Sequence, residues 1–282
     1  MPRFKDQAVC IRHIDWSETS QVVALLTREH GKLRGLAKGS RRTSPGAIAR
    51  FCGGIGLLTR GEVIATTKPT TDLAAITEWD MQDSFHHLRT DLRAHRLSMY
   101  GADLVAALLM DHDPHPNVFD AMVRFLESLR ISDTAKNTAS DHDEKQMAAA
   151  LLRLQWTVLV DCGFKPELDR DVVTGEPLEA AQLATSMSPG SSAAKGPLMF
   201  DPRAGGVTME MSAMHSGQSV SDAGPWRVRS ETIDLLRRLA FDSASDLSDV
   251  DSDRLRRANR LLCVFIRSII DRELPTMKFV LE

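Results

Sequence analysis

Eight cations near the amino end have the type and spacing for chemistry. Arg28, Lys32 and Arg34 flank a short Arg-Glu-His-Gly turn, Lys38, Arg41 and Arg42 follow on a Gly/Ser-rich loop, and Arg12 and Arg50 are second-rank members. Guanidinium and ammonium groups along an extended segment and its loop suit a string of anions, which is what a phosphodiester backbone offers. Alternate strand residues share a face, so Lys32 and Arg34 point the same way. Residues 1–60 hold eleven Lys/Arg against four Asp/Glu, an excess of seven positive charges, whereas the other 222 residues hold 24 bases and 34 acids. A basic head on an acidic body points to a polyanion partner. A solvated strand exterior would explain scattered basic residues equally well; the clustering favours binding.

Aromatic residues set the mode of binding. Only Phe4, Trp16, Phe51 and Trp79 occur in residues 1–80. Some must fill a core, which leaves too few for a row of stacked bases. Contact is therefore expected mainly through phosphates, weakly sequence-selective, salt-dependent and tolerant of single and double strands. Trp16 and Phe51 are the best stacking candidates, and both are expected to be packed.

Metal and nucleophile chemistry finds little support. Asp111-His112-Asp113-Pro114-His115, with His86 and His87 upstream, has a His–Asp doublet of the kind metal phosphohydrolases use. Pro114 and Pro116 force that doublet into a turn, and nothing at ligand spacing completes a set. Asp141-His142-Asp143 is placed in a 132–144 linker and carries no more. No GxSxG, GxGxxG, P-loop or HExxH pattern occurs. Cys10, Cys52, Cys162 and Cys263 form no CxxC pair, and Cys162 is expected to be a buried structural thiol. Neither catalytic nor metal-binding residues are expected. Met1 to His13 lacks the apolar core of a signal peptide, and no run approaches the roughly 18 apolar residues of a membrane helix, so a reduced, cytoplasmic chain is expected.

These residues sit on two kinds of element. With 43% hydrophobic residues the chain can bury a core. Ala8–Ile14, Gln21–Thr27 and Lys32–Ala37 read as strands, the last two joined as a hairpin across Arg28–Gly31. Gly54–Thr59 and Val63–Thr67 read as a second hairpin, Leu73–Trp79 as a closing strand, and Lys38–Gly46 as a loop. Five or six short strands indicate a small barrel or sandwich, with a five-stranded OB-type or an SH3-like barrel both fitting. After Trp79 the period becomes helical: Phe85, Leu88, Leu92 and Met99 share one face, then Val118–Leu129, Met147–Val158, Ile233–Ala240 and Leu255–Ile269 repeat the spacing. Residues 165–228, rich in Pro and Gly, fit neither period and read as an irregular insertion whose 180–196 stretch is expected to be mobile. Residues 242–253 read as a solvated acidic linker.

Three segments carry a family resemblance. Thr27 to Arg42 resembles the amino-terminal signature of RecO, the bacterial recombination mediators. Cys162 to Arg170 followed by Gly175-Glu176-Pro177-Leu178 resembles the central signature, and Phe200 to Val207 a third piece, in the right order over nearly the whole chain. The resemblance implies an OB-fold domain, placed at residues 1–80, then a mainly α-helical domain at 81–282 with the irregular segment 165–228 inside it. It implies a non-enzymatic DNA repair protein that binds single- and double-stranded DNA and anneals complementary strands. It also implies engagement of the single-strand-binding protein's acidic tail, partnership with RecR, and help in loading RecA.

One departure is informative. Many members carry a four-cysteine zinc site, but Asp171 and Thr174 occupy positions where cysteines would stand, and none follows Gly-Gly-Val. Structural zinc needs a closed Cys/His set, and Asp171 with His215 does not make one, so no zinc is expected. Packing of Phe164, Leu168, Val172, Val173, Leu198 and Phe200 is expected to hold the segment instead. The tail pocket is expected in the helical domain, with Arg153, Arg237, Arg238, Arg256 and Arg257 as rim candidates. A protein adaptor without a DNA role and a metal-dependent phosphohydrolase are the alternative classes.

Overall fold

Three strands follow from alternation and a turn. Strand β1 (Arg3–Asp15) pairs antiparallel with β2 (Gln21–Thr27), which pairs with β3 (Lys32–Ala37) across the Arg28–Gly31 turn. Gly31 closes that turn at φ +69°, where a side chain would be strained and its Cβ would overlap the Asp113 backbone. The computed structural model describes residues 3–68, 71–130, 141–178, 197–209, 224–243 and 245–281, divided between a unit at 1–139 and one at 140–282.

In the first unit, β4 (Arg60–Lys68) and β5 (Thr71–Asp83) form an antiparallel pair, β4 also pairs with β1, and β3 pairs in parallel with β5. The result is a closed barrel of order β1-β2-β3-β5-β4 with helix α1 (Pro45–Phe51) between β3 and β4. That is an OB barrel; the parallel closure and the intervening helix decide against an SH3-like arrangement. Inward residues from every strand, among them Cys10, Leu25, Leu33, Val63, Ile76 and Trp79, fill it together with Phe51 and Ile55.

Two of the expected boundaries in this unit differ in the structure. Gly54–Thr59 is not a strand: Gly53, Gly54 and Leu58 take positive φ, which breaks extended pairing, and the true hairpin is β4–β5. The loop expected through Gly46 ends earlier, because Pro45 starts α1 with its fixed φ after Ser44.

The helical periods of this unit also divide. Asp91 is extended at φ −123° and ψ 123°, so His86–Arg89 is a separate 3-10 turn rather than the start of one long helix, and Phe85 precedes it at φ +42°. Helix α2 (Leu92–Leu108) begins where the Asp91 carboxylate accepts from the Ala94 N–H at 2.7 Å. Pro116 opens α3 (Pro116–Ser128).

In the second unit, α4 (Asp141–Asp161) packs on α6 (Ser252–Ile270), as does α5 (Ser230–Phe241); α7 (Lys278–Leu281) ends the chain. Residues 141–144, expected in a linker, are already helical in α4, while 180–196 lies outside the described residues. The acidic segment after α5 buries Leu247 and Val250, and α6 begins within its expected span. The segment read as irregular contains a three-stranded sheet, order β7 (Gly206–Met209), β6 (Leu198–Asp201), β8 (Trp226–Arg227). Its strands are too short to show a period.

Part of the expected apolar set packs this sheet, and a carboxylate ties the turn after Arg170 to β7. Phe200 is buried against Trp226 and Phe265, and Leu168 and Leu198 are buried, but Phe164 and Val173 are exposed and Val172 is half-buried. Asp171, 2% exposed, accepts four hydrogen bonds. Its Oδ1 takes the Val173 N–H (2.8 Å), the Thr174 N–H (3.2 Å) and the Thr208 hydroxyl (3.0 Å), and its Oδ2 takes the Met209 N–H (2.9 Å). Burial pushes this carboxyl up, but the four donors outweigh it and hold the group below its ordinary range. With both oxygens so engaged, Asp171 does not suit zinc ligation, and among the described residues no three His, Cys, Asp or Glu side chains gather around a common point. His215 lies outside the described residues.

Candidate nucleic-acid interface

The eight cations fall into two groups. Lys32 and Arg34 do share a face, since both reach Asp111: Lys32 Nζ to Oδ1 at 3.2 Å and Arg34 Nε to Oδ2 at 2.8 Å. Lys32 also donates to the Ala106 carbonyl at 2.8 Å, and its side chain is only 14% exposed. Arg28 forks onto Asp120 of α3 through Nε and Nη2, both at 3.1 Å, and reaches Glu29 at 2.7 Å. That pairing raises the Arg28 pKa and, first through the Arg28 hydrogen bond, lowers that of Asp120. Arg12 contacts Asp103 of α2 at 3.2 Å. These four guanidinium and ammonium groups therefore face carboxylates of α2, α3 and their connection.

The other four lie on the β3–α1 loop and on α1. Arg41 pairs with Asp15 at 2.5 Å, and its N–H donates to the Thr19 carbonyl at 3.1 Å. Arg50 donates to the Gly46 carbonyl at 3.1 Å and lies 5.9 Å from the Phe51 ring. Lys38, Arg42 and Arg50 are exposed, and among the described residues no carboxylate lies within 4 Å of them. The loop is anchored beneath by Gln21: its Oε1 accepts from Ser40 Oγ (3.0 Å) and the Ile55 N–H (3.0 Å), and its Nε2 donates to the Ile55 carbonyl (3.2 Å). The Gly39 N–H donates to Ser20 Oγ at 3.2 Å. Exposed cations thus stand on a loop held by hydrogen bonds, an arrangement that a phosphate chain can contact.

Of the two stacking candidates, Phe51 is packed at 1% exposure, as expected, but Trp16 is not: its side chain is 70% exposed. It sits on the β1–β2 turn beyond a bulge between Cys10 and Arg12, after which Arg12 to Glu18 are all exposed. Composition did not reveal this, because nothing local distinguishes a core tryptophan from one on a turn.

Cys10 is buried and its thiol is pushed up to about 12. Cys162 is half-buried rather than buried. His112 lies on the α2–α3 turn with φ +63°, and His115 Nε2 lies 3.3 Å from Asp113.

The second unit holds a cavity of about 270 Å³ lined by Trp226, Arg229, Thr232, Arg257, Leu261 and Val264, with Arg227 and Arg260 beside them. Thr232, 3% exposed, has a hydroxyl with no partner among the described residues, and the same holds for Arg257 Nε. Of the five rim candidates, Arg257 lines the cavity, with its Nη2 3.5 Å from Glu231 Oε2. Arg237 and Arg238 pair with Asp169 and Asp249, Arg256 with Asp253, and Arg153 donates to the Ser245 carbonyl. Arg229, which opens α5, was not anticipated because a lone arginine beside a two-residue strand carries no pattern.

Among the described residues no helix is long and apolar enough to cross a membrane. The family model for the amino-terminal part of recombination protein O matches residues 1–85, and that for its carboxy-terminal part matches 89–278. The chain is 32% identical to the DNA repair protein RecO of Salinibacter ruber over 61% of this chain and 62% of that one. It is 26% identical to the DNA repair protein RecO of Myxococcus xanthus over 100% of this chain and 98% of the other.

Proposed function

Since the chain belongs to the RecO family, we propose that it is a non-enzymatic DNA-binding mediator of recombination and repair. It binds single- and double-stranded DNA, anneals complementary strands and helps load RecA onto strands coated with single-strand-binding protein. The family match along both halves carries this reading; the exposed cations beside an OB barrel supply its physics. Annealing requires phosphate repulsion to be neutralised while the bases stay free to pair.

Within the barrel module, residues 1–80, the DNA face is led by Lys38, Arg42 and Arg50, with Arg41, paired to Asp15, beside them. Arg28, Lys32, Arg34 and Arg12 play the lesser part, because a cation already paired with a carboxylate, as Arg28 is by a fork onto Asp120, gains little by exchanging it for phosphate. Their main work is to hold α2 and α3 on the barrel. The helical remainder, 81–282, carries the protein contacts, RecR among them, and the chain works in the cytoplasm at the nucleoid.

The acidic tail of the single-strand-binding protein fits the cavity at the start of α5. Leu261, Val264 and Trp226 accept an apolar side chain, Arg229 and Arg257 its carboxylates, and the Thr232 hydroxyl is available to donate.

Annealing of complementary oligonucleotides coated with the single-strand-binding protein tests the whole reading. Annealing is expected without nucleotide or divalent ion, and to weaken when the coating protein lacks its tail. Strand cleavage, or no annealing and no mobility shift at moderate salt, would overturn it.

A further inference from the structure

Trp16 exposes 70% of its side chain, whereas Trp79 and Trp156 are 1% and 3% exposed. It is nevertheless held in place. Its backbone N–H donates to the Ser20 carbonyl at 3.0 Å, the Ser17 backbone N–H does so at 3.2 Å, and the Ser17 hydroxyl accepts from the Ser20 N–H at 3.2 Å, so the turn that carries the indole is ordered. The same turn is tied to the cationic loop by three contacts: Arg41 N–H to Thr19, the Arg41 guanidinium to Asp15, and Gly39 N–H to Ser20. An indole on an ordered turn is thus placed beside the loop of Lys38, Arg41 and Arg42. Ile14, 60% exposed near the end of β1, adds apolar surface two residues before Trp16.

A solvent-facing indole forfeits the burial that favours the other tryptophans. Its π-face accepts any unpaired base, and adjacent cations hold the phosphates on either side of that base. A duplex offers no free base face at this position.

We propose that Trp16 is a stacking platform for one unpaired nucleobase, so that this face grips single-stranded DNA through a base as well as through phosphates. The inference rests on the DNA-binding reading above and amends the expectation of contact mainly through phosphates. One platform fixes a strand without reading its sequence, and leaves the neighbouring bases free to find a complement.

The test compares an oligothymidylate with an abasic deoxyribose-phosphate strand of equal length, which keeps the phosphates and lacks the bases. The full-length chain is used with Trp16→Ala, Trp16→Phe and the Lys38→Glu/Arg42→Glu pair. Trp16→Ala is expected to weaken oligothymidylate binding about tenfold and leave abasic binding unchanged. Trp16→Phe retains most of the affinity but loses the tryptophan quenching that oligothymidylate, and not the abasic strand, produces in the parent. Equal effects of Trp16→Ala on both strands, or none on either, overturn the platform. If the parent binds neither strand, or the charge-reversed pair binds both as the parent does, the cationic face itself is refuted. Loss of a protein partner with unchanged DNA binding in Trp16→Ala would mark the turn as a protein contact and also overturn the proposal.

Discussion

Replacing Asp171 with Asn tests what ties the turn at residues 171–174 to β7 in the second unit. The substitution keeps the side chain's size and one acceptor oxygen. With that oxygen toward Val173, Thr174 and Thr208, the new amide nitrogen meets the Met209 N–H, donor against donor. A hydrogen bond to a charged group contributes about 1.5–3 kcal/mol, and a buried donor left without a partner costs about 1–3 kcal/mol. Losing the Met209 bond and weakening the other three should cost about 2–4 kcal/mol in all. Amide exchange at Met209, where it follows local opening, should then accelerate roughly 30- to 700-fold. The pH dependence has a definite sign. The folded carboxyl titrates below its ordinary value, so its contribution is full above the unfolded pKa of about 3.9 and is lost as pH falls through the lower folded value. Above about pH 4 the gap between parent and variant should be constant, and below it should close. An unchanged Met209 exchange rate in the variant would refute the reasoning. So would stoichiometric zinc whose removal abolishes protection in the parent.

Outcomes are also expected for four further variants. Lys38→Glu/Arg42→Glu should reduce the slope of log affinity against log salt for single strands by about 1.4, whereas Lys32→Met should leave that slope unchanged. The Lys32 variant should instead lower the stability of the first unit by about 1–3 kcal/mol in denaturant titration, since it strands the Ala106 carbonyl. Arg229→Glu should weaken binding of an acidic peptide with an apolar carboxy-terminal residue about tenfold without changing the unfolding midpoint; equal binding would move the tail site elsewhere. Gly31→Ala should destabilise the barrel end by about 2 kcal/mol or more, because it combines a positive φ with overlap on Asp113; an unchanged midpoint would show that the α2–α3 turn yields freely.

The barrel-then-helix layout was legible because its signals are local. Alternation in Gln21–Thr27 and Lys32–Ala37 around Gly31 specifies a hairpin, and the stripes of α3, α4 and α6 repeat at the spacing a helix buries. The direction in which Lys32 and Arg34 point was legible for the same reason. Elements whose signal is short or nonlocal were not. Helix α1 is seven residues long, and β6, β7 and β8 are shorter still. The start of β4 depends on the positive φ at Leu58.

Sequence alone determined which residues are cationic, where they cluster, and that a β module precedes a helical one. Tertiary structure decided which of those cations meet a carboxylate. Arg28 meets Asp120 ninety-two residues away, Lys32 meets the α2–α3 connection, and Lys38 and Arg42 meet solvent. It also decided that Trp16 faces outward and that Asp171 anchors a sheet. The physical reason is that charge, propensity and periodicity belong to a residue and its near neighbours, whereas exposure and pairing are set by whatever the fold brings alongside.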